Sequence, residues 1–130
     1  MAMAIRYSVD FERNVLHTVC AGAVRLDDVL VHLEELVKDR TLPDDLDLLL
    51  DLSTTTTAPS ADQLRLVAER VTATREDIDW GRCAIVVSRD VLFGLSRMFE
   101  VHTASVFEDS HVFRDRDEAL EWLEAGPPDR

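Results

Sequence analysis

Cysteine is scarce in this chain. Cys20 and Cys83 are the two among 130 residues. Both lie in apolar stretches, and neither belongs to a CxxC or His-rich spacing. Free, buried, inert thiols are the expectation, since two such residues do not make a secreted disulfide framework. No apolar run approaches the roughly 20 residues that a bilayer-spanning helix requires. The opening MAMAIRYSVD lacks the apolar core of a signal peptide, so a cytoplasmic location is expected. Basic residues are outnumbered, 14 against 26 acidic, for a formal net charge of −12. That field repels phosphate backbones and anionic headgroups, which argues against nucleic acid and membrane surfaces as partners.

Chemical motifs are missing too. The glycines form no phosphate-cradling loop. His17, His32, His102 and His111 are scattered, with no pair at metal-ligand spacing on one helix face, and nothing implies a cofactor. No nucleophile elbow supports a Ser-His-Asp arrangement. Asp47 and Asp51 share one side of a predicted strand about 13 Å apart, too far for paired acid–base work. The expectation is a protein that is not an enzyme.

What is present is a well-patterned fold. The apolar fraction of 46% suits a globular protein, and the length suits one domain. That domain is expected over residues 1–125, with 126–130 a frayed tail behind Gly126-Pro127-Pro128. Ile5, Tyr7 and Val9 alternate with polar residues as in a half-buried strand, and Val15–Ala21 returns after a turn at Glu12-Arg13-Asn14. The period then changes. Leu26, Val29, Leu30, Leu33, Leu36 and Val37 form one helical stripe, with Asp27 and Asp28 at its start and Lys38 and Arg40 at its end.

Leu46, Leu48, Leu50 and Leu52 mark one face of the next strand, with Asp47, Leu49 and Asp51 on the other. Ser60 to Gln63 reads as a capping box opening a helix with Leu64, Val67, Ala68 and Val71 inward. Trp80 beside Gly81 is expected to anchor a loop, and Cys83–Val87 is a short interior strand. Asp90 is expected to cap a third helix with Val91, Leu92, Leu95, Met98, Phe99 and His102 on its apolar side. A strand at His111–Phe113 precedes a last helix, opened by a second box at Asp115 and Glu118 and packed through Ala119, Leu120, Trp122 and Leu123.

The order β-β-α-β-α-β-α-β-α predicts an α/β domain. It has a single five-stranded, mostly parallel sheet, an N-terminal antiparallel edge hairpin, and four helices mainly on one face. Right-handed crossovers that step to the next neighbour would place every helix on that same face. The other face is expected to be partly apolar, carrying Leu49, Ile85, Val87 and either Leu16 or His17, and to be covered by a second copy in a homodimer.

The hydroxyl-rich segment after the third strand is the first place to look for function, because ligands and partners meet an open α/β sheet beyond its strand ends. Ser53, Thr54, Thr55, Thr56, Thr57 and Ser60 are the candidate contact residues there. Arg97 is added as a cation able to point toward them from the third helix. A helix cap at Ser60 and a solvated threonine loop are the plain alternatives.

The opening hairpin followed by helix–strand alternation resembles the STAS superfamily. LLLDLS at 48–53, FGLSRMFE at 93–100 and VFRDRDEALEWL at 112–123 look like its SpoIIAA-like, STAS/Sec14-type branch. The likeness spans nearly the whole chain and implies a bacterial, non-enzymatic regulatory module with a protein partner. In anti-sigma-factor antagonists of this fold, a Ser or Thr at the start of the helix after the central strand is phosphorylated. The matching place here is Ser60, or a hydroxyl in Thr54–Thr57, in a loop that reads Ala58-Pro59-Ser60-Ala61 where those antagonists carry an Asp-Ser-Ser-Gly type of loop. The Sec14-type likeness implies an alternative, a carrier of an apolar or lipid-like ligand. That role needs a cavity between helices and sheet, lined by Leu64, Leu92, Leu95 and Phe99.

Overall fold

The computed structural model describes residues 4–126. Five strands, β1 (Ile5–Asp10), β2 (Val15–Gly22), β3 (Leu46–Thr55), β4 (Trp80–Val86) and β5 (Ser110–Phe113), lie in the order in which they occur. β1 and β2 form the antiparallel hairpin, and every later pairing is parallel. Four helices, α1 (Leu26–Lys38), α2 (Ala61–Ala73), α3 (Asp90–His102) and α4 (Arg116–Ala125), complete the domain.

The hairpin turns where the sequence pattern puts it. Asn14 takes a φ of 55°, a left-handed conformation that asparagine tolerates better than most residues. Gly22, at φ 66°, ends β2 and turns the chain into α1. α1, α2 and α3 cross over between parallel strands, and right-handedness places all three on one sheet face. Leu16, Leu48, Ile85 and Val87 point to that face and meet Leu36, Leu64, Leu92 and Phe99 from the helices.

α4 does not follow them. It lies on the opposite face, where Ala119 and Leu123 pack on Val15, Leu49, Ala84 and Val86. The physical reason is topological. Among the described residues no parallel strand follows β5 to make α4 a crossover, and α4 covers apolar residues of the second face. Ile85 and Val87 therefore face α1–α3, as does Leu16, whereas Leu49 and His17, the other member of the expected pair, lie on the second face. Leu49, expected to be covered by a second copy, is covered by the chain's own last helix.

With helices on both sides, every residue of β4 is buried, including Arg82 at 2% exposure. The Arg82 guanidinium lies 4.4 Å from the centre of the Trp122 ring and donates to the Leu123 carbonyl at 2.7 Å. Its backbone amide donates to the Asp47 carboxylate at 2.8 Å. Gly81 makes that approach feasible, since a Cβ there would collide with the same carboxylate. Burial pushes the Asp47 carboxyl up, opposed by the Arg82 amide and charge.

Several local expectations shift. Trp80 opens β4 and is buried, its indole donating to the Thr74 hydroxyl at 2.8 Å, so it is part of the core and anchors no loop. Arg89, not Asp90, occupies the cap position of α3. Asp115 caps α4 through the Asp117 amide at 2.8 Å. Val91 and Met98 are exposed, at 53% and 39%, on the outer side of α3. Of the expected tail, Gly126 caps α4 with φ 73°, and 127–130 lie outside the described residues.

Candidate functional site

A cavity of about 210 Å³ lies between the sheet and α1–α3. Its floor is Leu48, Leu50 and Leu52 of β3, and its walls include Val29, Leu64 and Phe99. The four residues expected to line a ligand cavity, Leu64, Leu92, Leu95 and Phe99, all line this one. Leu50 and Leu52 show the consequence for packing. Both sit on a central strand beneath three helices, yet neither is fully buried. Interiors normally pack to crystal-like density, so an apolar hollow of this size forfeits dispersion contacts along its lining.

Four lining residues, Arg25, Thr57, Ala58 and Gln63, are exposed and mark the mouth, between the start of α1 and the segment leading into α2. Arg25 is the charged side chain there. Deeper in, polar groups are few. Thr18, at 2% exposure, has an Oγ1 that is fully buried and without a hydrogen-bond partner among the described residues. His32 is 8% exposed, and burial pulls its imidazole down to about 4, so the ring is neutral at pH 7. Burial, reinforced by Asp51, pushes the Cys20 thiol up to about 12, which leaves it protonated and unreactive. Cys83 is buried as well, and its thiol is likewise pushed upward by desolvation.

The hydroxyl segment is organised differently from a free loop. β3 continues through Thr55, so Ser53, Thr54 and Thr55 belong to the strand. The Ser53 hydroxyl donates to Asp51 at 2.6 Å, and its carbonyl accepts from Ser88 at 2.7 Å. Thr55 is buried and donates to the Leu52 carbonyl at 3.0 Å. Thr57 joins the segment to Val24 ahead of α1. Thr54 and Thr56 are exposed. Ser60 forms the reciprocal cap that its spacing with Gln63 predicts, accepting from the Gln63 amide at 3.1 Å while its own amide donates to the Gln63 side chain at 3.0 Å.

Arg97 is not brought to this segment. It sits about two turns into α3 and pairs with Glu100 at 3.4 Å on the surface. The cation that does reach the segment is Arg89, whose guanidinium donates to the Thr57 carbonyl and, at 3.4 Å, to the Thr55 hydroxyl. Among the described residues, no group of three His, Cys, Asp or Glu side chains is placed to hold a metal ion.

Thr18, His32, Leu50 and Arg89 escape a reading of the sequence for motifs. The available signal was a polar residue inside an apolar stripe: Thr18 between Leu16 and Cys20 on β2, and His32 between Val29 and Leu36 on α1.

The architecture as a whole defines an α/β domain with a SpoIIAA-like fold. Among solved structures it is similar to an uncharacterised DUF3478-family protein with that fold from Shewanella loihica PV-4. The likeness has a TM-score of 0.64 at 16% identity and covers 95% of this chain and 96% of that one. No protein-family model matches the sequence, and no curated protein matches it. Among the described residues, no helix is long and apolar enough to cross a membrane.

Proposed function

We propose that this protein is a non-enzymatic binding module whose ligand is a small apolar molecule held in the cavity between α1–α3 and the sheet. The supporting observation is the hollow between α1–α3 and Leu50 and Leu52, at the place where a small α/β domain ordinarily packs most densely. The lining is dominated by leucine, valine and phenylalanine with few polar groups, which is the composition of a ligand pocket. The Cys20 thiol in the lining is held protonated at neutral pH, which leaves it a poor nucleophile. This favours binding over the regulatory role expected for the Ser53–Ser60 segment, whose buried or bridging hydroxyls are engaged within the fold.

Toluene titrated into the protein and followed by two-dimensional NMR tests the reading. Saturable shifts should cluster at Leu50, Leu64, Leu95 and Phe99, and Leu50→Phe, which fills the floor, should abolish them. Shifts that never saturate, or that scatter over the surface, would sink it.

A second reading, contact with a protein partner or a second copy, is favoured by a different observation. Val91, Met98 and Val101 recur at helical spacing on the outer side of α3 and are exposed, Val101 at 74%. Sedimentation of the parent and of Met98→Glu/Val101→Glu distinguishes the cases. A concentration-dependent dimer lost in the double variant supports self-association, and identical monomeric behaviour of both removes it.

A further inference from the structure

The lining of the cavity carries one formal charge, and it lies at the mouth. Arg25 is the cation, and no Asp or Glu joins it among the described lining residues, although 26 of the chain's 130 residues are acidic. Arg25 is exposed just ahead of α1 and makes no ion pair among the described residues. Asp27 and Asp28 stay outside the lining, and Asp28 accepts from the Arg25 backbone amide at 2.8 Å. Thr57 and Gln63 share the mouth but are engaged within the fold, Thr57 with Val24 and Gln63 with Ser60. At the rim of an apolar hollow, the Arg25 guanidinium is the charged donor without an acidic partner.

The hollow is also long for its volume. Its lining on β3 runs from Leu48 to Thr55, seven steps or roughly 23 Å at the rise of a strand. Trp80, which pairs with Leu46 at the start of β3, and Phe107 line the end away from the mouth, their ring centroids 5.4 Å apart. An apolar cavity of about 150 Å³ takes up benzene, so 210 Å³ suits roughly eight carbon atoms. Eight carbons spread along such a length make a chain, not a ring system.

We infer that the occupant is a medium-chain carboxylate, its hydrocarbon lying along β3 and its head on Arg25 at the mouth. The inference rests on the cavity reading above and names the class of ligand. A head at the rim keeps part of its hydration, so the charge is not carried into the apolar interior. Guanidinium and carboxylate match as a two-pronged hydrogen-bonded pair. The net charge of −12 repels anions at a distance, but physiological salt screens that field beyond roughly 8 Å.

Calorimetric titration of the whole chain at neutral pH with hexanoate, octanoate and 1-octanol tests this. Octanoate should bind at least threefold tighter than 1-octanol, which has the same chain length and no charge. It should bind roughly tenfold tighter than hexanoate, because two more methylenes enter the hollow. Arg25→Gln should remove the advantage of octanoate and leave 1-octanol binding in place, whereas Arg25→Lys, which keeps the charge, should retain most of it. 1-Octanol binding as tightly as octanoate, or an unchanged ratio in Arg25→Gln, would overturn the inference while leaving the cavity reading intact. Equal affinity for hexanoate and octanoate would overturn it too, since the chain would then lie outside the hollow. Failure of all three probes while toluene binds would sink the inference alone, and failure of toluene as well would sink both.

Discussion

The Thr57 hydroxyl accepts from the amide of Val24 and donates to the carbonyl of the same residue, each at 2.9 Å. One side chain thereby replaces a backbone partner for a residue 33 positions away and ties the rim of the cavity across its two sides. Valine at position 57 keeps the branched shape but can make neither bond. Thr57→Val should cost about 1 kcal/mol of stability, since both groups are near solvent. The Val24 amide should exchange its hydrogen markedly faster, as native-state hydrogen exchange would show. An unchanged rate at Val24 would mean the bridge does not hold the rim.

Thr18→Val carries the opposite expectation for stability. The substitution keeps the β-branch and removes a buried oxygen that has no partner. The unliganded protein should gain about 1 kcal/mol or more, read as a rise in Tm of roughly 3–5 °C. A fall in Tm would show that the hydroxyl is satisfied inside the fold.

The buried guanidinium of Arg82 joins the two layers of the second core. Arg82→Met keeps most of the apolar stem but loses the bond to the Leu123 carbonyl and the stacking on Trp122. It also removes the charge that moderates the raised Asp47 carboxyl. Destabilisation by about 2–4 kcal/mol is expected in urea, with loss of the near-ultraviolet signal of Trp122. A change below about 0.5 kcal/mol would mean that α4 is held by its apolar contacts alone.

His32 makes stability depend on pH with a defined sign. Burial lowers its imidazole from 6.5 to about 4, so the unfolded chain binds a proton in a range where the folded protein does not. The contribution of the neutral ring is fully present above about pH 6.5 and is lost as the pH falls toward 4, by at most about 3 kcal/mol. His32→Leu should remove that part of the slope. Urea titrations of parent and variant at pH 7 and about pH 4.5 should therefore show a stability difference that shifts in favour of the variant on acidification. A difference independent of pH would show that the ring titrates normally.

Much of the fold was legible because alternation and helical periodicity are written into residue order. The leucines at 46, 48 and 50 and the spacing of Ser60 with Gln63 led directly to β3 and the α2 cap. The side taken by α4 was not legible, because chirality constrains crossovers and α4 joins no two of the described strands. Val91 and Met98 read as inward because the apolar residues of α3 extend around more of the helix than the sheet can cover. The cavity was legible only in outline. Leu50 and Leu52 would carry the same pattern whether or not a helix filled the space above them. Packing defects arise from the separation of elements, and hydropathy does not encode that distance.

The central sheet divides the interior into unlike halves, one tied to α4 through Arg82 and one hollow beneath α1–α3. The tied half acts as a keel. Side chains around the hollow can drift in size and polarity, and so change which molecule is accommodated, while the clamp of Arg82 on the last helix keeps the architecture intact.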